Sequence, residues 1–150
     1  MKILLRSLVA LPLVALAFLA NADDGQSKLE SIRLNAGIHN IQAEVAQTSD
    51  QREIGLMYRK TMGTNDGMLF AFEEPGKQCF WMKNTLLPLS VAFVADDGTI
   101  VNIDDMQPLT LDGHCSTKPV RFVLEMNQGW FAKRGIRAGE RLLGQPFAKR

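Results

Sequence analysis

Leu89-Ser90-Val91-Ala92-Phe93-Val94-Ala95-Asp96-Asp97-Gly98-Thr99-Ile100-Val101-Asn102-Ile103 is the stretch that decides the fold class. Leu89, Val91 and Phe93 recur with period two going out, and Val101 and Ile103 alternate coming back. Asp97-Gly98 between them is a dipeptide that tolerates the positive φ of a tight turn, so the segment predicts a β-hairpin. Asp104, Asp105 and Met106 end the return strand. Downstream, 107–119 reads as a long irregular loop carrying Asp112, His114 and Cys115. The strand after it places Val120, Phe122, Leu124 and Met126 on one face and Arg121, Val123 and Glu125 on the other. A helical turn over 129–135 and a brief strand near 140–143 finish the chain.

Upstream of the hairpin, Cys79-Phe80-Trp81-Met82-Lys83-Asn84-Thr85 also alternates. The pattern predicts a strand with Phe80, Met82 and Asn84 on one face and Cys79, Trp81, Lys83 and Thr85 on the other, the Phe80/Met82 face turned to the core. Before it, Met68-Leu69-Phe70-Ala71-Phe72 is an apolar strand and Glu73-Glu74-Pro75-Gly76 a turn. Residues 38–46 alternate Ile41, Ala43 and Val45 with polar neighbours, which again predicts a strand. Thr48, followed three residues later by Gln51, forms a capping box that opens a helix running to about Arg59. On that helix Ile54, Met57 and Tyr58 share one side, while Arg52 and Arg59 share the other at a spacing of about 10 Å. Two such guanidiniums suit an anionic or polyhydroxylic ligand, or carboxylates of a neighbouring strand.

The fold expectation is therefore α+β and mainly β: a small curved antiparallel sheet or partly closed barrel with one or two short helices. Ahead of it, Lys2 and Arg6 precede an apolar run over 8–20, and Ala20-Asn21-Ala22 has the small-x-small spacing of a signal-peptidase site. We expect a signal peptide at 1–22, a flexible lead-in at 23–28 and a single domain at 29–150. The 13-residue apolar run is short for a membrane span, which needs about 20 residues. The expected location is thus periplasmic or secreted, without stable membrane insertion once the leader is cut. An uncleaved anchor is the alternative.

The full chain has 17 Lys and Arg against 16 Asp and Glu. Removing Lys2 and Arg6 leaves 15 against 16, a net charge of −1 for the mature chain. That balance argues against a sequence-independent nucleic-acid binder, which needs clustered positive charge to displace counterions. Lys133, Arg134, Arg137, Arg141, Lys149 and Arg150 are interleaved with glycine and apolar residues and read as a solvated rim. In an oxidising compartment the two cysteines, Cys79 and Cys115, are most simply a disulfide, which would restrict the unfolded chain by roughly 4 kcal/mol. The competing reading, a reactive Cys115 thiol activated by His114, is weakened because neighbours on an extended chain point apart.

Several segments together resemble a family: Arg52-Glu53-x-Gly55-Leu56-Met57-Tyr58-Arg59, Gly67-Met68-Leu69-Phe70, Phe80-Trp81-Met82-Lys83-Asn84-Thr85-x-x-Pro88-Leu89, and Leu124-Glu125. They look like DUF192, a group of small, often exported bacterial and archaeal proteins without an established activity. The resemblance covers about residues 38–143. It implies one mainly β domain with a small helical part, and it implies that a shared functional surface would draw on Arg52, Arg59, Lys83, Asn84, Thr85 and Glu125. It implies no reaction.

Three functional classes follow. The first is a binding or accessory module, a monomer that recognises a small anionic or sugar-like ligand, or an envelope protein, through Arg52, Arg59, Trp81, Lys83, Asn84, Thr85 and Glu125. It ranks first because no nucleophile, base and orienting group are visible together; His39 and His114 are far apart and lack a metal-spaced companion. The second is an envelope-associated hydrolase-type enzyme in which Glu125 acts as acid or base and Lys83 or Arg52 stabilises negative charge. Glu125 would then need a raised pKa in a cleft. The third is Cu(I) handling, prompted by the methionines, although Met57, Met68, Met82 and Met126 fall at positions the patterns bury. No metal or other cofactor is expected.

Overall fold

The computed structural model describes residues 25–147. The first two strands, β1 (Ser31–Ala36) and β2 (His39–Ala46), pair antiparallel around Gly37, whose φ of 56° makes the tight reversal possible. α1 (Ser49–Ile54) follows, and then β3 (Asp66–Gly76) and β4 (Cys79–Phe80). β5 (Leu89–Val94) and β6 (Ile100–Met106) form the hairpin expected from the alternation and the Asp97-Gly98 turn. β7 (His114–Cys115), β8 (Val120–Asn127), a 3-10 turn at Ala132–Arg134 and β9 (Leu142–Leu143) complete the chain.

Seven of these strands form one curled sheet in the order β6-β5-β8-β3-β2-β1-β9, antiparallel except where β2 runs parallel to β3. The two edges approach at one corner. Ile100 N–H donates to the Glu140 carbonyl, Gly139 N–H to Ile100 and Leu142 N–H to Gly98, each at 2.8 Å. The product is a half-barrel, the mainly β, curved and partly closed architecture that the strand patterns predict. Closing that corner also covers part of the β6 edge, which would otherwise offer unpaired backbone groups.

Apolar residues bury both faces of the sheet. Inside the curl, Leu34, Ile41, Leu69, Phe122, Leu124, Met126 and Trp130 form one cluster. On the outer side, Leu56 beyond α1 and Met82 beyond β4 close over Met68, Phe70, Val91, Phe93 and Val123. Strict alternation of apolar and polar residues would leave the outer face of such a sheet polar. The difference lies in the central position of β3, β5 and β8: Leu56, past the end of α1, and the 79–88 segment lie over them, so all six β5 residues are buried. The same covering buries Glu125, which the alternation placed beside Val123.

Three local expectations are corrected. β3 continues through Glu73, Glu74 and Pro75 to Gly76, with a register shift against β8 between Ala71 and Gly76, so the chain does not turn there. The strand expected over 79–85 stops at Phe80 because Thr85 N–H bonds back to the Met82 carbonyl at 3.1 Å, which is a turn. The helix expected to reach Arg59 ends at Ile54, with Gly55 at φ 52° leading the chain away. Within the long loop, His114 and Cys115 pair with Phe80 and Cys79 as a second, two-stranded sheet.

Cys79 and Cys115 are directly opposite in that small sheet and are disulfide-bonded, with Cα atoms 4.0 Å apart. Gln78 and Ser116 extend the pairing, since Ser116 N–H donates to the Gln78 carbonyl at 2.8 Å and Gln78 N–H to Ser116 Oγ at 3.1 Å. Among the described residues no helix is long and apolar enough to cross a membrane. This and the disulfide are compatible with an exported protein. The expected leader at 1–22 lies outside the described residues. In the expected lead-in, Gln26 donates its side-chain amide to the carbonyls of Gln51 and Gly55, at 3.0 and 2.8 Å, and so ties that segment to α1.

Candidate functional site

α1 begins as its sequence dictates. Thr48 accepts a hydrogen bond from Gln51 N–H while the Gln51 side chain accepts from Thr48 N–H, the reciprocal bonds of a capping box. Its early end sets the site. Gly55 has a conformation that L side chains rarely adopt, and a Cβ there would stand 3.1 Å from the Phe70 ring. Glycine thus lets the helix exit lie directly on β3. Three residues later Tyr58, at φ 62°, turns the chain so that its N–H donates to the Asn84 carbonyl at 2.9 Å. The helix exit and the 81–85 turn are thereby joined across a gap.

That gap is a cleft of about 550 Å³ on the outer side of the sheet. Arg52, Trp81, Lys83, Asn84, Thr85 and Glu125 all line it, as do Phe70, Phe72 and Phe80. Phe80 packs edge-on against Phe70 with ring centroids 4.8 Å apart, an arrangement favoured by the ring quadrupoles. The rim carries charge on aromatic surfaces: the Arg52 guanidinium lies 4.9 Å from the Phe72 centroid and the Lys83 ammonium 5.7 Å from that of Trp81. Arg52 is fixed, because its Nη1 donates to the carbonyls of Gln47 and Ala71. Trp81 stays 52% exposed, an unusual state for an indole and one that leaves a stacking surface at the mouth.

Glu125 is at the floor. On β8 it sits opposite Met68 of β3 and Val91 of β5, and it is only 4% exposed. Burial pushes its carboxyl up to about 8, and no nearby cation or hydrogen-bond donor offsets that desolvation. Gly67 allows the approach of β3 to β8 here, since a Cβ at that position would run into the Glu125 carbonyl. At neutral pH the cleft therefore has a protonated acid at its base and two cations at its edge.

The strand and helix periods each misassigned one residue. Asn84, grouped with Phe80 and Met82, lines the cleft beside Trp81, Lys83 and Thr85 because the 82–85 turn breaks the period of two. Arg59 does not join Arg52. With the helix ended at Ile54, Arg59 reaches β2 instead and grips Glu44 through two 2.8 Å hydrogen bonds. Burial raises the Glu44 pKa, but Arg59 and the Leu29 N–H outweigh it and hold the carboxyl below its ordinary value. Pairing with a strand carboxylate was the other use anticipated for these arginines. Of the methionines considered for copper, Met126 is inside the curl and Met68 and Met82 are outside it, while Met57, expected to be buried, is half-buried and lines the cleft because the helix ends before it. Among the described residues no group of three or more His, Cys, Asp or Glu is placed to hold a metal ion.

Sequence reasoning missed Glu53, Gly55, Tyr58 and Phe72 as parts of the cleft. The available signal was Gly55 itself, a glycine inside a pattern read as helix, where it marks an end more readily than a continuation.

The fold is a mainly β half-barrel, and comparison places the chain in a family. Residues 31–144 match the model of the DUF192 family, described as uncharacterized ACR, and the chain belongs to that family. No curated protein matches the chain. Among solved structures, a Sinorhizobium meliloti protein carrying the provisional label of transcription regulator is 40% identical. It superposes with a TM-score of 0.74 over 80% of this chain and 98% of its own. A protein of unknown function from Novosphingobium aromaticivorans is 32% identical, with a TM-score of 0.74 over 77% of this chain and 86% of its own.

Proposed function

We propose that this protein is an exported, monomeric binding domain that recognises a small anionic, ring-bearing ligand in the cleft between α1 and the 81–85 turn. The observation that carries the reading is the pairing of an unpartnered buried carboxyl, Glu125, with an exposed Trp81 and two cations at the mouth. A buried polar group without a partner costs folding free energy, and structures retain such groups where something else satisfies them. Trp81 would stack on a sugar or other ring, Lys83 and Arg52 would meet the anion, and Asn84 and Glu125 would supply hydrogen bonds. Export is supported by the basic, apolar and small-x-small pattern of residues 1–22 and by the disulfide, which persists in an oxidising compartment. An envelope protein that inserts an acidic side chain would use the same groups.

The test is a thermal-shift screen of sugar acids, organic acids and envelope fragments. A ligand at 100 times its Kd should stabilise the domain by about 2.7 kcal/mol. Trp81→Ala and Lys83→Ala should each abolish that shift; hits that persist unchanged in both variants place the site elsewhere.

One observation also favours an enzymatic reading. A carboxyl raised to about 8 in a cleft is protonated at neutral pH and suited to act as a general acid, with Lys83 or Arg52 stabilising developing negative charge. That reading predicts turnover of an envelope sugar or peptide that is lost in Glu125→Gln while the fold is retained.

A further inference from the structure

The geometry points to a zwitterion as the ligand of this cleft: an α-amino acid or short peptide whose ammonium meets Glu125 at the floor and whose carboxylate meets Lys83 and Arg52 at the rim. The inference rests on the binding function proposed above and names its ligand class. A ligand bearing only negative charge would use the rim and leave the floor without a partner. Glu125 is 4% exposed, lies between Met68 and Val91, and opens on aromatic walls formed by Phe70, Phe72 and Phe80. An acid alone among aromatic rings is a cation site, because ring faces and carboxylate both attract an ammonium. The protein's own cations do not fill it. Arg52 is bound to the Gln47 and Ala71 carbonyls and stacked on Phe72, and Lys83 is stacked on the exposed Trp81.

The charged groups around Glu125 are few. Arg52, Glu53 and Tyr58 line the cleft from α1 and its exit, and Lys83 lines it from the 81–85 turn. The flanking strands present Met68 and Val91 at its register and add no charge. A bound ammonium would thus be the principal partner of the carboxyl and would favour its ionised form. Since the empty cleft holds Glu125 protonated at neutral pH, binding moves that proton to the buffer: the carboxylic acid and the ligand ammonium become an ion pair, and one proton is released.

The experiment is isothermal calorimetry at pH 6.5 in two buffers of different ionisation enthalpy, using the full mature chain with its disulfide intact. Probes are L-phenylalanine and glycyl-L-phenylalanine, each with its N-acetyl derivative, together with phenyllactate and phenethylamine. We expect the free-amine ligands to bind about tenfold or more tightly than their acetylated forms and to release about one proton on binding. In Glu125→Gln, whose shape is conserved, both the preference and the proton release should vanish while phenyllactate binding remains. Lys83→Ala should weaken phenyllactate and spare phenethylamine. If acetylated ligands or phenyllactate bind as well as the free amino acid, the zwitterion inference is overturned and the anion-binding function stands. If phenethylamine binds as tightly as phenylalanine and Lys83→Ala changes nothing, the anion-binding function itself fails. Absence of binding by every probe, with sugar acids still shifting the melting temperature, overturns the zwitterion inference alone.

Discussion

Glu125 and Glu44 show how one side-chain type takes opposite states in one domain. Glu125 is buried without a partner and its pKa is raised, so folding takes up a proton between its unfolded value near 4.5 and its folded value of about 8. Its effect is a stability present at low pH and lost as pH rises through that window, with a slope of about 1.4 kcal/mol per pH unit. Glu125→Gln should therefore flatten the stability profile between pH 5 and 8 in urea titrations and be more stable than the parent at pH 8. A parallel profile would show that Glu125 is already ionised in the fold. Glu44 works the other way. Its pKa is lowered, so its ion pair with Arg59 stabilises above the unfolded value and is lost as pH falls below it. Arg59→Ala leaves Glu44 with the Leu29 N–H as its remaining bonded partner and should cost about 1–2 kcal/mol. Because Arg59 is outside the cleft, ligand affinity should be unchanged; a loss of binding in folded Arg59→Ala would move the site.

At the scale of elements, α1 is the clearest case of local sequence setting geometry. Thr48→Ala should cost about 1 kcal/mol in denaturant titration, because it removes the acceptor for Gln51 N–H. Gly55→Ala should cost more, in the range of about 1–3 kcal/mol, since φ 52° with ψ −129° is strained for any L side chain. The added Cβ also presses on Phe70, a cleft wall, so ligand binding should weaken with it. The β5–β6 hairpin, β8 and the N-terminal cap of α1 were legible because each depends on neighbours in sequence. The end of α1 was not: the 3.6-residue period continues to Arg59, and only the approach of β3 makes Gly55 a stop. The face assignment after Phe80 failed for a similar reason, since the Met82–Thr85 turn is held by the bond from Met82 N–H to the Thr110 carbonyl, 28 residues away in sequence. Glu125 was recognised as a candidate, but its burial depended on the covering of the outer face, which a single strand pattern does not contain. Cys79 and Cys115 join the two loops beside the cleft. Mass spectrometry of the purified chain should find both cysteines bonded before reduction; free thiols on both would show that the cleft wall stands without a covalent tie.

At the scale of the molecule, a half-barrel with two apolar layers creates the site as a gap in its outer layer. Leu56 at the exit of α1 covers one part of the outer face, the 79–88 segment covers another, and Glu125 lies under the seam between them. The curled sheet is a stable base, with its edges joined at Gly98, Ile100 and Leu142, so substitutions in the rim should alter binding with little effect on folding. Trp81 and Lys83 are exposed in the free protein, and truncating them removes ligand contacts rather than core. The most direct test of the proposed function is calorimetric titration of the strongest thermal-shift ligand into the parent, Trp81→Ala, Lys83→Ala and Glu125→Gln, all confirmed as folded. Binding to the parent should be saturable and one-to-one, with at least about a tenfold loss in Trp81→Ala and in Lys83→Ala. Equal affinity in all four proteins would contradict the proposed function.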